Sequence, residues 1–225
     1  MMLTLLVLVA SYLIGAIPFG FLVAWVVRGI DIRQHGSGNI GATNVARVLG
    51  WPFFVLVFAL DCAKGAGPVA ATRWLLPEVI SADAPALAWD HLAILAGLSA
   101  VVGHMWPVYL RLRGGKGVAT GAGVIAVLVP VPAAVAVAVW VAVVLLTRYV
   151  SAGSMAAALA LCAGRLVQAW PEPLSAANWP LTAFCLLGAA LVIVRHRANL
   201  VRLWRGTEPK IGRRPTEGHV KEQAH

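Results

Sequence analysis

Twelve consecutive residues from Gly36 to Arg47 read GSGNIGATNVAR, a polar, glycine-rich segment in a chain that is 60% hydrophobic. Its glycines, Gly36, Gly38 and Gly41, let the backbone adopt positive φ and approach a ligand closely. The other polar residues supply hydrogen-bond donors suited to an anion, and they are Ser37, Asn39, Thr43, Asn44 and Arg47. The composition of this segment indicates phosphate binding.

Two other interpretations of the same segment are weaker. The three glycines form G-x-G-x-x-G with Asp61 twenty residues further on, as in a dinucleotide-binding fingerprint. That fingerprint is meaningful only between a β-strand and a helix, whereas here it follows a long apolar run. A tight turn between helices also uses glycine with Asn or Ser. The density of donors and the added arginine favour the anion site.

A second glycine-rich segment, Gly114 to Gly117, reads GGKG. It is not a nucleotide-binding P-loop, because no glycine stands five residues before Gly115 and no Ser or Thr follows Lys116. Glycines around a lysine at the start of a predicted helix still offer backbone N–H groups and a cation to an anion. The candidates are Gly114, Gly115, Lys116 and Gly117. Alternatively, Lys116 and its neighbouring arginines only orient the chain in a membrane.

The end of the chain adds a third polar segment, RHRANLVRLWRGTEPK. His196 and Asn199 stand three residues apart at a predicted helix end, with Glu208 nearby, and such a pair can bind a polyol or a phosphate. A headgroup-facing imidazole is the alternative for a histidine in isolation. A shorter polar turn, RYVSAGS, contains Ser151.

The composition is that of a polytopic membrane protein. Only 12% of the 225 residues are charged, nine are Trp, and the mean hydropathy is +0.82. The net charge of +9 does not indicate nucleic-acid binding, because the basic residues lie between and after the apolar runs. Cys62, Cys162 and Cys185 lie inside apolar runs and suggest neither a disulfide framework nor a metal site.

The apolar runs predict an all-α fold of seven transmembrane helices. Pro130 and Pro132 should separate the fourth helix from the fifth as a tight hairpin, and the fourth is short for a full span. We expect one membrane domain over 1–212 and a polar, disordered tail over 213–225. The predicted helices cover 2–27, 51–72, 88–110, 118–129, 133–147, 152–168 and 178–194.

The distribution of basic residues predicts the topology. With the N-terminus outside and the C-terminus cytoplasmic, 15 of the 18 Lys and Arg residues lie on the inner side, as the positive-inside rule requires. Every polar, glycine-rich segment then reaches the cytoplasmic face. Asp61 and Lys64 remain inside the second predicted helix, spaced to form an ion pair, and either a structural or a functional role is open.

The polar segments resemble the motifs of the bacterial acyl-phosphate:glycerol-3-phosphate acyltransferases, the PlsY type. The matching motifs are GSGNIGATNVAR, GHMWPVYLRLRGGKGVAT and RHRANLVRLWRGTEPKIG, and the resemblance runs from about Tyr12 to Gly212. Ile40 stands where many members have Pro, and Trp106 where Phe is common, which affects only local loop shape. The functional residues that the resemblance implies are Ser37, Arg47, Lys116, Ser151, His196, Asn199 and Glu208.

The resemblance implies transfer of a fatty acyl group from acyl phosphate to the 1-hydroxyl of glycerol 3-phosphate, giving lysophosphatidic acid and inorganic phosphate. It implies a monomeric inner-membrane enzyme without cofactor or metal, whose site faces the cytoplasm. Because an acyl phosphate is already activated, we expect direct attack by the hydroxyl without an acyl-enzyme, and lateral access of the acyl chain between helices. Either His196 or the substrate phosphate could take the proton.

Two other functional classes fit less well. A small-anion transporter would place its broken helices near the bilayer midplane, often in internal repeats, whereas these polar segments lie on one predicted face without a repeat. Acyltransferases that use His-x-x-x-x-Asp are unsupported, because none of the six histidines has Asp five residues later.

Overall fold

The structure is a computed structural model, and it describes residues 2–80 and 86–211. Within these ranges the regular secondary structure is helical, and there is no strand. The predicted tail 213–225 lies outside the described residues. A π-helical turn at Ala71–Leu75 joins α4 to α5. The α-helices are α1 Met2–Ala16, α2 Phe19–Arg28, α3 Ala42–Leu49, α4 Trp51–Ala70, α5 Leu76–Ile80, α6 Ala86–Met105, α7 Val118–Leu128, α8 Pro130–Thr147, α9 Val150–Gln168, α10 Trp179–Arg195 and α11 Arg197–Trp204.

Each of the seven predicted apolar runs contains a helix, but the helices differ in their capacity to cross a bilayer. Five are long and apolar enough, and α10 with α11 would add a sixth across a 55° bend. Helix α7 has 11 residues and spans only about 16 Å, roughly half of a hydrocarbon core. The five spans are Met2–Arg28, Trp51–Glu78, Ala88–Leu110, Pro130–Thr147 and Val150–Gln168. The chain is therefore an all-helical, multi-pass membrane protein.

Prolines set two of the helix boundaries. The first apolar run breaks between α1 and α2 at Pro18, because proline has no N–H and its ring clashes with the preceding turn. Helix α8 begins at Pro130, three residues before the predicted start, since prolines are tolerated in a first turn where the backbone donors are free. The break from α7 is the single residue Val129.

Glycines allow the helices to cross at backbone distance. A Cβ atom at Gly65 of α4 would lie 2.1 Å from the carbonyl oxygen of Thr120 on α7, and one at Gly123 would lie 2.0 Å from that of Cys62. Gly15 makes the equivalent approach from α1 to α6. Such approaches need residues without a side chain, as is common between transmembrane helices. They fix α4 against α7 and α1 against α6, and the second polar segment joins α6 to α7.

A small hydrophobic cluster supports the first polar segment. Ile32, which precedes the segment, and Ile40, which lies between Gly38 and Gly41, are almost completely buried together with Val45 of α3 and Val57 of α4. Gly20 of α2 packs so closely that a Cβ there would lie 1.8 Å from the carbonyl oxygen of Ile40. The segment is therefore held on α2, α3 and α4.

The two neighbouring glycines of α4 provide a matched test of this packing. We expect Gly65→Ala to reduce stability by about 1–3 kcal/mol, because the new methyl group overpacks the contact with α7. Gly67→Ala is the control, since its Cβ would meet nothing within 4 Å and alanine favours a helix by about 0.5–1 kcal/mol. Thermal unfolding of the purified protein in detergent measures both. Equal effects of the two substitutions would contradict the close crossing.

Candidate functional site

Asn44 organises the first polar segment. Its side-chain oxygen accepts a hydrogen bond from the backbone N–H of Ser37 at 2.7 Å, and its amide nitrogen donates to the carbonyl oxygens of His35 and Asn39 at 2.9 and 2.8 Å. Gly36 has a φ of 61°, and a Cβ there would lie 2.3 Å from the Asn44 oxygen. The loop thus closes around one buried amide, and only glycine fits at position 36.

This arrangement changes the predicted role of Asn44. Both hydrogens of its amide are used by loop carbonyl groups, so the side chain supports the loop instead of offering a donor to a ligand. Asn39 likewise accepts a hydrogen bond from the backbone N–H of Gly41 at 2.8 Å. The side-chain groups of this segment that remain for a ligand are those of Ser37, Thr43 and Arg47 and the amide nitrogen of Asn39.

The second segment folds back onto the end of α6. The N–H of Gly115 donates to the carbonyl oxygen of His104 at 3.1 Å, and the Arg195 guanidinium donates to the Gly115 carbonyl oxygen at 2.6 Å. A Cβ at Gly115 would lie 2.1 Å from Nε2 of His104, and one at Gly114 would lie 2.2 Å from the His104 oxygen. The loop before Lys116 is therefore clamped between α6 and α10.

A chain of hydrogen bonds joins the remaining segments. The Lys116 ammonium donates to the side-chain oxygen of Asn199, whose amide nitrogen donates to Oε1 of Glu208 at 2.6 Å. Ser151 donates to the same carboxylate oxygen at 2.7 Å, and Nε of Arg202 donates to Oε2 at 2.7 Å. Ser151, Asn199 and Arg202 thus donate to one buried carboxylate, and Lys116 is joined to it through Asn199.

The ionisation of two groups follows from this burial. Desolvation alone would raise the pKa of Glu208, but the hydrogen bonds from Asn199, Ser151 and Arg202 outweigh it and hold the pKa below its usual range. Burial lowers the pKa of Lys116 to about 8; Glu208 opposes this shift, and nearby arginines add to it. Lys116 is therefore a cation at neutral pH that can lose its charge under mildly alkaline conditions.

His196 has a defined orientation. It is buried at the junction of α10 and α11, and its Nδ1 lies 2.7 Å from the carbonyl oxygen of Val192. A carbonyl group only accepts hydrogen bonds, so Nδ1 carries the hydrogen and the neutral ring keeps a lone pair on Nε2. His196 can then accept a hydrogen bond from a ligand hydroxyl group.

The polar segments surround one cavity of about 220 Å³. Four predicted residues, Gly36, Gly38, Gly114 and Gly115, do not line it, because they shape the loops behind its wall. The predicted residues that do line it are Ser37, Asn39, Gly41, Thr43, Asn44, Arg47, Lys116, Gly117, Ser151, His196, Asn199 and Glu208.

Sequence reasoning missed several members of the cavity wall. His104 and Ser154 come from within α6 and α9, where nothing in the apolar pattern singles them out, although His104 stands inside the second motif. Asp61 also lines the cavity. Arg195 and Arg202, which count among the basic residues that predict the topology, line it as well. Among the lining residues the arginines and Lys116 outnumber the carboxylates of Asp61 and Glu208, so the cavity favours an anion.

A larger apolar groove of about 630 Å³ continues from the polar cavity. Lys116, Gly117 and Ser154 line both spaces, as do aromatic side chains of α4 and α8. Along α10 the groove is lined from Val192 to Trp179, a distance of about 20 Å at 1.5 Å per residue. The site therefore has one polar compartment and one long apolar compartment that meet at Lys116.

Comparison with known proteins gives consistent matches. The sequence model of the glycerol-3-phosphate acyltransferase family matches residues 5–206. The chain is 41% identical to the glycerol-3-phosphate acyltransferase of Thermosynechococcus vestitus (strain NIES-2133 / IAM M-273 / BP-1) over 202 residues, covering 90% of this chain and 92% of the relative. It is also 41% identical to that of Anaeromyxobacter sp. (strain Fw109-5) over 208 residues, with coverages of 92% and 96%.

The fold also matches solved structures. A crystal structure of PlsY (YgiH), an integral membrane glycerol 3-phosphate acyltransferase, in its glycerol 3-phosphate form has a TM-score of 0.79 and 36% identity, covering 93% of this chain and 96% of that one. Its lysophosphatidic acid form has a TM-score of 0.76 and 35% identity, with coverages of 93% and 95%.

The pKa of Lys116 generates a prediction about anion binding. Inorganic phosphate should raise the thermal midpoint of the wild type, and this shift should shrink as the pH rises through about 8, where Lys116 loses its proton. In Lys116→Arg the shift should persist above that pH, because arginine stays protonated. Titration of phosphate itself is common to both proteins. The same pH profile in both would mean that Lys116 does not bind the anion.

Proposed function

This chain belongs to the glycerol-3-phosphate acyltransferase family, and we propose that it transfers a fatty acyl group from acyl phosphate to the 1-hydroxyl of glycerol 3-phosphate. The products are lysophosphatidic acid and inorganic phosphate, and the reaction begins phospholipid synthesis. The observation that carries this proposal is the junction of a cation-rich polar cavity with a long apolar groove at Lys116. An acyl phosphate has the same two parts, a phosphate and a long acyl chain.

The cations of the cavity serve the phosphates of both substrates. Arg47 offers a planar, bidentate guanidinium to a phosphate, while Lys116 supplies a compact charge at the boundary with the apolar groove. This boundary is where the acyl carbonyl group and its leaving phosphate would lie. Lys116 then neutralises part of the charge that develops on the leaving phosphate, and the Ser37 hydroxyl donates a hydrogen bond to it.

The glycerol hydroxyl attacks the acyl carbonyl carbon directly. A carbon–oxygen bond forms to glycerol 3-phosphate as the bond to phosphate breaks, phosphate leaves with the electron pair of that bond, and the hydroxyl proton passes to His196 or to a substrate phosphate oxygen. Nε2 of His196 has a free lone pair that can accept a hydrogen bond from the attacking hydroxyl group. Asn199, which is hydrogen-bonded to Lys116 and Glu208, orients the substrate next to His196. No covalent intermediate with the protein is needed, because acyl phosphate is already activated.

The membrane arrangement follows from the same proposal. The protein would cross the inner membrane seven times, with its N-terminus outside and its C-terminus in the cytoplasm, and act as a monomer. This requires α7 and the α10 helix to count as spans in addition to the five longest ones. Support comes from the basic residues, of which 15 of 18 then lie on the cytoplasmic side with the polar cavity.

Release of phosphate from palmitoyl phosphate by purified protein in a lipidic phase tests the function. Release should depend on glycerol 3-phosphate and should fall by about 100-fold or more in Arg47→Ala, because an oriented cation on a substrate phosphate is lost. Arg73→Ala is the matched control, since Arg73 pairs with Asp90 and does not line either cavity. A folded wild type without turnover would instead point to an anion transporter or a binding protein.

The apolar groove generates a second prediction about chain length. Gly188 lines this groove, and a Cβ there would meet nothing within 4 Å, so a larger side chain enters open space. Gly188→Leu should reduce kcat/KM for a 16-carbon acyl phosphate by about tenfold, corresponding to one or two lost methylene contacts, and should affect an 8-carbon donor much less.

Gly67→Leu on α4 is the control for a leucine in a glycine position that is open and outside both cavities. Competition between the two donors in one reaction gives the ratio of their kcat/KM values directly. A ratio in Gly188→Leu equal to that of the control would place the acyl chain elsewhere.

A further inference from the structure

Lys64 occupies the break between α1 and α2. Its ammonium lies 2.7 Å from Oδ1 of Asp61, one helical turn away on α4, and donates to the carbonyl oxygen of Ile17 at 2.7 Å. It also lies 5.5 Å from the ring centroid of Phe19. Because Pro18 has interrupted the helix here, the Ile17 carbonyl group lacks a regular helical partner. The N–H of Phe19 donates to this oxygen at 3.1 Å, and Lys64 adds a second hydrogen bond from another helix.

Asp61 also faces His104, which packs against the second glycine-rich segment, Gly114 to Gly117. Its Oδ1 lies 3.8 Å from Nδ1 of His104, and both side chains line the polar cavity although each is less than 5% exposed. Nδ1 of His104 has no hydrogen-bond partner among the described residues. The opposite edge of this ring lies against Gly115, one residue before Lys116.

These contacts connect the two glycine-rich segments through α4. On one side, the break at Ile17 sets the direction of α2, and Gly20 of α2 packs directly on Ile40 in the first segment. On the other side, the position of the His104 ring determines how closely Gly115 can approach α6. A shift of Asp61 and Lys64 would therefore move both walls of the cavity.

Stability alone does not account for this ion pair. A completely buried pair carries a large desolvation cost, and well-packed apolar side chains of similar size are often as stabilising or more so. The feature that apolar side chains cannot reproduce is the hydrogen bond to the Ile17 carbonyl oxygen, together with a carboxylate oxygen placed 3.8 Å from Nδ1 of His104. Intramembrane charges are also expensive enough that they commonly mark function.

We propose that Asp61 and Lys64 are positioning residues that hold the two phosphate-binding segments at the separation that the substrates require. The inference rests on the proposed acyl transfer. Lys64 does not line the cavity, so it does not contact the substrates. The pair acts on the site through the break between α1 and α2 and through the His104 ring.

The double substitution Asp61→Leu/Lys64→Met separates positioning from stability. It removes both charges together and keeps nearly the same number of side-chain heavy atoms, so the thermal midpoint should stay within a few degrees of the wild type. The kcat/KM for glycerol 3-phosphate should nevertheless fall by about 100-fold, as expected for a misplacement of roughly 1 Å at the site. The control is Arg73→Met/Asp90→Leu, which removes a pair 3.0 Å apart that lines neither cavity and should leave kcat/KM unchanged.

A double variant that keeps both its midpoint and its kcat/KM would overturn the proposal, because the pair would then be purely structural. If the double variant does not fold, Asp61→Glu decides the question, since it keeps the ion pair but shifts the carboxylate by one methylene. Positioning predicts a kcat/KM about tenfold lower at a nearly unchanged midpoint. Full activity of a folded Asp61→Glu would contradict it.

The shift in thermal midpoint caused by inorganic phosphate is measured on the same variants. This readout needs no turnover, so it distinguishes the two proposals. A wild type that binds phosphate but transfers no acyl group would refute the proposed function alone. Undiminished phosphate binding in the double variant would refute the positioning role, whether or not acyl transfer occurs.

Discussion

The interaction on which the site depends is the hydrogen-bond chain from Lys116 through Asn199 to Glu208. A lysine can remain charged in a largely buried place only if its donors are satisfied and a counter-charge is close. Asn199 accepts one hydrogen bond from the ammonium, and Glu208, bound to the amide nitrogen of Asn199, supplies the counter-charge; Ser151 and Arg202 also donate to this carboxylate. Without this chain, no cation could be kept at the boundary between the polar and apolar compartments.

Close helix packing is the second requirement, because the polar segments are far apart in sequence. Gly65 and Gly123 bring α4 and α7 to backbone contact, and Gly15 does so for α1 and α6. Each contact excludes even a methyl group, so the relative positions of the helix ends vary little. The polar segments that precede α4 and join α6 to α7 thereby converge on one cavity.

The bilayer explains why the two compartments lie side by side. A soluble enzyme would have to enclose a long acyl chain within its own core, whereas these helices can leave a groove of about 630 Å³ that reaches the polar cavity. The groove is lined by small and apolar residues such as Gly121 and Gly188, whose missing side chains leave its volume open. Polar groups are confined to the end of the groove at which the loops and the cationic side chains lie.

Much of this protein could be predicted from its sequence. The long apolar runs determine an all-helical membrane protein, because only helices satisfy every backbone group within a bilayer in such runs. The density of glycine with Ser37, Arg47, Lys116 and His196 indicated an anion site, and Asp61 with Lys64 was spaced to pair, as the structure confirms. Short-range physics of helix periodicity, glycine freedom and side-chain charge suffices for these conclusions.

Tertiary structure alone decided which residues face the cavity and which support it. The sequence predicts that Asn44 donates a hydrogen bond to a ligand, but its amide group is hydrogen-bonded within its own loop. Gly115 is predicted to bind an anion, but the absence of a side chain there makes room for the His104 ring. Whether a donor is free depends on partners that come from distant segments, which local spacing does not contain. The same holds for the packing of α7, the fourth of the predicted helices, whose position against α4 is set by glycine contacts that the sequence pattern does not contain.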